Sequence, residues 1–319
     1  MAQVVENPDN IQIASEWSQP DVNIIKPFDF FESGDGYANA KALIILNQNI
    51  TVCPVFFRKI WDSCELHICA DGGSNKLLDF DSGFTPEYIV GDLDSATAET
   101  LQFYKNRGTS VIAQRSQYAT DLDKAVALTN LYFNYKLKNE TKQKQSLTFN
   151  DYLYSLNTND GLCSENLNIA SDNSENIKLV LLGAIGGRFD QTLNALSKLY
   201  QLNSTYSHID SILLNPEHTE FILYLPKGKN FIKFPKIKES EEIEKFGTTF
   251  KKSKSRQRLR NVGILPMLAP TILRTSGLKW DVNNWESQFG MAMSTCNLQV
   301  GETGFGIETT SECFVNVEL

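Results

Sequence analysis

The chain has 319 residues, 41% of them hydrophobic and 21% charged, with a formal net charge of −8. That length suits about two domains of ordinary size, and the composition is that of a globular protein with ample core material. The acidic balance argues against a general binder of nucleic acid or anionic membrane, because no overall basic field exists to attract either.

The first ten residues, MAQVVENPDN, carry neither a basic stretch nor an apolar one, so they do not read as a signal peptide. No apolar run approaches the roughly 18 residues that a membrane helix needs. Six cysteines are scattered along the chain without a Cys-x-x-Cys pair or zinc-ligand spacing. Reduced thiols and a cytoplasmic location are the expectation.

From Lys41 onward, short apolar runs alternate with helical patterns. ALIIL (Ala42 to Leu46), LHICA (Leu66 to Ala70), YIVGD (Tyr88 to Asp92), TSVIA (Thr109 to Ala113) and KLVLLGA (Lys178 to Ala184) read as strands. Continuous apolar runs, rather than in-out alternation, suit a parallel sheet covered on both faces. One helix is expected from Thr120, with Leu122, Ala125, Val126, Thr129 and Tyr132 on one stripe. Another follows Arg188, with Phe189, Leu193, Leu196 and Tyr200 on its stripe. This alternation predicts a doubly wound, mostly parallel α/β domain over residues 41–207, preceded by an extension over residues 1–40.

After Ser211 the pattern changes. SILLN, EFILYL, NFIKF, VGILPM, TILRT and CFVNVEL are short strands separated by Gly, Pro, Asn and Ser, with no long helical stripe among them. They predict an all-β sandwich over residues 208–319. Two stretches read as loops. Residues 136–176 are polar and are expected to form a flexible insertion. Residues 236–260 form a polar loop whose basic run includes Lys251, Lys252, Lys254, Arg256, Arg258 and Arg260. A nucleic-acid patch is one reading of that run. The acidic whole and the lack of interleaved stacking aromatics favour a solvated loop.

The chemistry gathers at strand ends. Asp71 follows the second strand, where the chain turns through Gly72 and Gly73. Asp92 and Asp94 end the third, and Asp121 stands just behind Thr120 at a helix start. In an open parallel sheet, ligands bind beyond the carboxyl ends of the strands. Four carboxylates on one edge would repel one another unless a cation sat between them. Mg²⁺ suits the position, being hard and usually held by a carboxylate or two plus substrate phosphates. Each piece also has a plainer reading: Asp-x-Asp is often a turn, and Thr120 with Asp123 can form a capping box. Recurrence at successive junctions favours the metal.

LLGAIGGRFDQTLNAL supplies the complement. Glycines let backbone approach a ligand, a helix N-terminus offers free N–H groups to an anion, and Arg188 adds a planar cationic fork suited to phosphate. Neither a Walker A loop nor a dinucleotide fingerprint is present. Metal plus polyphosphate means phosphoryl or nucleotidyl chemistry. A Mg²⁺-dependent phosphoesterase using the same acids is the rival, disfavoured because none of the three histidines lies in these motifs.

Taken in order, CADGGSNKLLD, PEYIVGDLDSA, QYATDLDKA, GGRFDQTLNAL and TSGLKWDV resemble the successive motifs of the thiamine pyrophosphokinase family, and the N-terminal residues and both loops resemble its fungal members. The resemblance implies transfer of a pyrophosphoryl group from ATP to the hydroxyl of thiamine, giving thiamine diphosphate and AMP. It implies Mg²⁺ at Asp71, Asp92, Asp94 and Asp121, with Arg188 also catalytic. Nucleotide contacts fall on Thr120, Gly186, Gly187, Arg188, Asp190 and Gln191, and thiamine contacts on Gln117, Trp280, Ser294 and Thr295. It further implies a homodimer whose active sites are shared between subunits, so that Trp280 serves the partner's acids. Either Asp71 or Asp121 could take the alcohol proton. The sequence departs from the family pattern at Ala184, where a glycine is usual, and at Cys296, where serine is frequent. The alanine is tolerable if its φ is negative.

Overall fold

The computed structural model describes residues 2–32, 40–140, 148–164, 176–206, 208–217, 220–234 and 260–318. Two short strands come first, β1 (Gln3–Glu6) and β2 (Asn23–Ile25). An alternating series follows: β3 (Lys41–Ile45), α1 (Pro54–Ser63), β4 (Leu66–Ala70), α2 (Gly73–Phe80), β5 (Tyr88–Gly91), α3 (Ala98–Lys105), β6 (Ser110–Ala113) and α4 (Asp121–Glu140). Then come α5 (Phe149–Ser155), α6 (Gly161–Ser164), β7 (Ile177–Leu182), α7 (Phe189–Thr205) and β8 (Ile209–Leu214). The remainder is strand only: β9 (Glu220–Leu225), β10 (Gly228–Lys233), β11 (Asn261–Leu265), β12 (Thr271–Ser276), β13 (Trp280–Asn283), β14 (Trp285–Ser287), β15 (Ser294–Leu298), β16 (Gly304–Thr309) and β17 (Cys313–Glu318). The α/β and β-sandwich classes expected from the sequence are both present.

The chain divides into two compact units, one of Ser33–Val52 and Lys59–Glu217, the other of Met1–Glu32, Cys53–Arg58 and His218–Leu319. In the α/β unit the strands run β8-β7-β3-β4-β5-β6, every pair parallel. β3 and β4 are buried at every position, as expected of strands covered on both faces. From β3 the chain builds outward through β4, β5 and β6, then returns to add β7 and β8 on the other side. The order therefore reverses between β3 and β7, and ligands of such sheets bind in the crevice outside the strand ends at this point.

SILLN, expected to open the sandwich, belongs to β8 and pairs in parallel with β7. Its buried, continuously apolar face matches the other parallel strands. Residues 148–164, expected to be flexible, are built into the unit. Thr148 and Asp151 cap α5 reciprocally, and Leu153 and Leu162 are buried.

The β unit holds the four-strand order β15-β11-β17-β9 and a sheet of order β14-β12-β16-β10-β2, with β1 paired to β13. All of these pairs are antiparallel except β10–β2. Its core includes Trp17, Val22 and Phe231 and a chain of edge-on rings through Phe31, Phe28 and Phe234. The N-terminal residues supply two strands and a fully buried Trp17, so part of this core comes from the segment expected to be an extension. Arg260, read as the end of the basic loop, is buried with its guanidinium 4.5 Å above the Phe234 ring. The other basic residues of that loop lie outside the described residues.

Candidate active site

A cavity of about 410 Å³ opens where the strand order reverses. Leu46, Asn47 and Gln48 enter it from the end of β3, Gly183 and Ala184 from the end of β7, and Asp92 from the end of β5. Thr120, Asp121 and Lys124 come from the start of α4, and Arg188, Gln191 and Asn194 from the start of α7.

Three of the four expected acids meet. Asp71, Asp92 and Asp94 bring carboxylate oxygens within 4.8 Å of one another. The backbone is bent to do so: Asp71 has φ 41° and Leu93 φ 66°, left-handed conformations that cost about 1–3 kcal/mol each and cluster at functional sites. Asp71 is 1% exposed, and its two carboxylate oxygens accept the Ser95 and Ala96 amides at 3.0 Å each. It thereby anchors the loop that carries Asp92 and Asp94. Burial pushes its carboxyl above the ordinary value, against the pull of those two amides. Asp92 moves the other way. Partial burial opposes its ionisation, but hydrogen bonds from Gln117 and the Asp94 amide, with the Lys124 charge, hold it below the ordinary carboxylate value. All the donors are hard oxygens, the set that Mg²⁺ prefers.

Asp121 is placed differently. One oxygen accepts from the Lys124 ammonium at 3.0 Å and from the Asp92 amide at 3.3 Å. The Lys124 side chain is 2% exposed, so a fixed positive charge already stands among the acids. Gly91 lets the group close up, since a Cβ there would lie 2.6 Å from the Asp71 Cβ and 3.0 Å from Asp121 Oδ1.

Thr120 closes a capping box. Its hydroxyl donates to Asp123 at 2.7 Å and its oxygen accepts the Asp123 amide at 3.2 Å. That hydroxyl proton is spent inside the helix start. Gln117 donates to Asp92 Oδ2 at 3.1 Å, which joins a residue expected to touch thiamine to the acidic group.

On the opposite wall, Gly183, Gly186 and Gly187 take φ of 81°, 96° and 61°, so β7 turns sharply into α7. Ala184 is not among the positive-φ residues, which is why the alanine fits. Arg188 precedes α7 without capping it by its side chain. Its guanidinium instead grips Asp190 two-handed, Nε to Oδ1 at 3.1 Å and Nη2 to Oδ2 at 2.6 Å. That grip holds the Asp190 carboxyl below its ordinary value. Gln191 joins Arg188 in the cavity wall.

In the β unit, Trp280 is 40% exposed and so is no core tryptophan. Asn297 fixes its strand, accepting the Trp280 amide at 3.1 Å and donating to the Trp280 carbonyl at 2.8 Å. The same amide reaches Ser294 Oγ at 3.4 Å, so Trp280 and Ser294 share one support. Thr295 is exposed beside them, with Cys296 Sγ at 3.8 Å from its hydroxyl.

Lys124, Asn47, Gln48, Asn194 and Gly91 also belong to the site, though none is among the residues that the sequence motifs single out. Lys124 was available from its spacing, three residues beyond Asp121 and hence on the same helix face. Asn47 and Gln48 follow a strand as Asp71 does, but amides carry no charge signal.

The chain is similar to known proteins along nearly its whole length. Residues 57–211 match the family profile of the thiamin pyrophosphokinase catalytic domain, and residues 248–314 that of the thiamin pyrophosphokinase vitamin B1 binding domain. Thiamine pyrophosphokinase of Saccharomyces cerevisiae is 30% identical over 99% of this chain and 96% of its own length. The solved structure of thiamin pyrophosphokinase from Candida albicans superposes with a TM-score of 0.80 at 32% identity, covering 100% of this chain and 99% of that one. The yeast thiamin pyrophosphokinase crystal structure gives 0.81 at 28% identity, covering 99% and 96%. On the sequence identity, the full-length coverage and the shared fold, the chain belongs to the thiamine pyrophosphokinase family.

Proposed function

We propose that this protein transfers the pyrophosphoryl group of ATP to the hydroxyl of thiamine, forming thiamine diphosphate and AMP. The observation that carries the reading is the convergence of Asp71, Asp92 and Asp94 beside a cavity whose other wall holds Arg188 and the start of α7. A polyphosphate needs both poles, hard oxygen ligands for its metal and cationic or N–H donors for its oxygens.

Asp92 and Asp94 would hold Mg²⁺ directly, with Asp71 behind them. When bound, the ion neutralises charge on the phosphates that would otherwise repel the incoming hydroxyl. Arg188, released from Asp190, stabilises the charge on the transferring group and on the departing AMP. Lys124 holds Asp121 in place through its 3.0 Å hydrogen bond. Asp121 takes the alcohol proton in this reading. Its side chain is 34% exposed and keeps one oxygen off Lys124, whereas Asp71 has both oxygens on backbone amides. Gln191 and the glycine turn of Gly186 and Gly187 receive the nucleotide beside Arg188, with Thr120 and Asp190 shaping the two helix starts around it.

Thiamine is cationic and aromatic, and the exposed face of Trp280 suits it, with Ser294 and Thr295 as nearby hydroxyls. The chain would act as a homodimer in which Trp280 serves the acids of a second copy, and it would work in the cytoplasm. Among the described residues no helix is long and apolar enough to cross a membrane.

A hydrolytic activity at the same acids gains no support. Among the described residues no histidine lines the cavity, and His67 and His208 are buried against Glu87 and Asn130. His218 lies outside the described residues. The test is AMP release from ATP by the purified protein. AMP formed only with both thiamine and Mg²⁺ present, matched by thiamine diphosphate, is expected; AMP or ADP formed without thiamine would overturn the assignment of the acceptor.

A further inference from the structure

The connection from β6 to α4, residues 114–120, carries Gln117 and is held from outside by a segment that no part of the proposed chemistry uses. Gln114, 2% exposed, donates through Nε2 to the Asn157 carbonyl at 3.0 Å and accepts the Leu162 amide on Oε1 at 3.0 Å. The next two residues continue the contact, Arg115 N–H reaching the Thr158 carbonyl at 2.7 Å and Ser116 N–H the Asn159 carbonyl at 2.6 Å. Four hydrogen bonds in a row therefore lash the connection to residues 157–162.

That segment is itself anchored. The Phe149 ring lies 5.0 Å from Tyr135, 5.6 Å from Tyr132 and 6.1 Å from Tyr88. The Tyr88 hydroxyl donates to Asn150 at 2.9 Å, Leu153 and Leu162 are buried, and α6 packs on α4. At the far end of the lashed connection, Gln117 donates to Asp92 Oδ2 and also to the Arg115 carbonyl at 3.4 Å.

We infer that residues 148–164 are a positioning element of the active site, acting through Gln114, which sets the reach of Gln117 to Asp92. The physical reason is entropic. A seven-residue connection with no regular structure would sample many conformations, and a fully satisfied buried amide with two adjacent backbone bonds leaves it one. Gln114 is thus a positioning residue for Gln117. The inference rests on the reading of Gln117 and Asp92 as site residues.

The test is a double-mutant cycle of Gln114→Met and Gln117→Ala on the full chain, read as thiamine KM, ATP KM and kcat, with melting curves alongside. Gln114→Met keeps side-chain length but loses both bonds. It should raise thiamine KM about tenfold, the scale of one hydrogen bond to a charged group, and leave ATP KM nearly unchanged. The double variant should be no worse than Gln117→Ala alone. Gln114→Asn keeps an uncharged amide but is one methylene shorter, so it weakens the bonds to Asn157 and Leu162 without burying a charge; it should fold where the methionine variant does not and show the same pattern more weakly. Losses that add, a uniform fall in kcat with KM unchanged, or two silent Gln114 variants beside an impaired Gln117→Ala would overturn the inference. An unimpaired Gln117→Ala would instead overturn the reading of Gln117 itself, and the inference with it.

Discussion

Replacing Gly91 by alanine tests the geometry of the acidic cluster at its tightest point. The new Cβ would lie 2.6 Å from the Asp71 Cβ, and 3.0 and 3.3 Å from Asp121 Oδ1 and Cγ. Carbon atoms in good contact stand about 3.5–4.0 Å apart, so the overlap with Asp71 is about 1 Å. Neither side can give easily. Asp71 is pinned by the Ser95 and Ala96 amides, and Gly91 is held in register with Ala113 while its carbonyl accepts the Gln114 amide at 2.7 Å. Overpacking of this kind costs about 1–3 kcal/mol, which in a chain of this size lowers Tm by roughly 2–8 °C. The larger effect should be on turnover, because displacing catalytic groups by about 1 Å can cost about 100-fold. Thiamine diphosphate formation followed by thiochrome fluorescence, at saturating and at limiting Mg²⁺, separates the two effects. Folded protein with strongly reduced kcat and a weakened response to Mg²⁺ is expected. An unchanged Tm with undiminished turnover would refute the claim that Asp71 and Asp121 must close around Gly91.

Four further outcomes can be checked, three in the same assay and one by melting curves. Lys124→Met removes a buried cation and leaves Asp121 without its partner; turnover should fall by about 10- to 100-fold, a scale set by the loss of about 1.5–3 kcal/mol from one charged hydrogen bond, and full activity would show that Lys124 is only packing. Arg188→Ala should lower kcat by about two or more orders of magnitude, the scale of losing one charge-stabilising donor, whereas a rise confined to ATP KM would make it a binding residue. Trp280→Ala should chiefly raise thiamine KM, and mixing it with Asp92→Asn subunits should restore activity if sites are shared; absence of any rescue counts against sharing. Lys198 forms an ion pair with Asp123, and although burial opposes it, this bond holds the Asp123 carboxyl below its ordinary value. A depressed carboxylate contributes stability above its unfolded value of about 3.9 that is lost as pH falls through the folded one. Lys198→Met should therefore lower Tm at neutral pH and converge with wild type in acid, and a deficit that persists or grows in acid would exclude the ion pair as its cause.

The legible parts of this protein were those with a local signal. Asp71, Asp92 and Asp94 announced themselves because charged residues directly follow apolar runs, and beyond strand ends there is little for an acid to do except bind or turn. The parallel sheet was legible for the same reason, in strands such as Leu66–Ala70 that are apolar on both faces. What escaped depended on distant partners. Residues 148–164 look like an insertion because polar residues outnumber Phe149, Leu153 and Leu162, yet those three pack on the unit and hydrogen bonds to residues 114–116 complete the seating. Trp17 gave no sign of its burial, since it packs on Val22 and Phe231, the latter more than two hundred residues away. Thr120 was legible in two ways, as a cap and as a ligand, and its hydrogen bonds to Asp123 are those of the cap.

The most direct test follows the phosphorus. ATP labelled in its β-phosphate should pass the label to thiamine diphosphate and leave AMP unlabelled, and Asp92→Asn should abolish the transfer. Label retained in ADP, or released as inorganic pyrophosphate without thiamine diphosphate, would contradict the account.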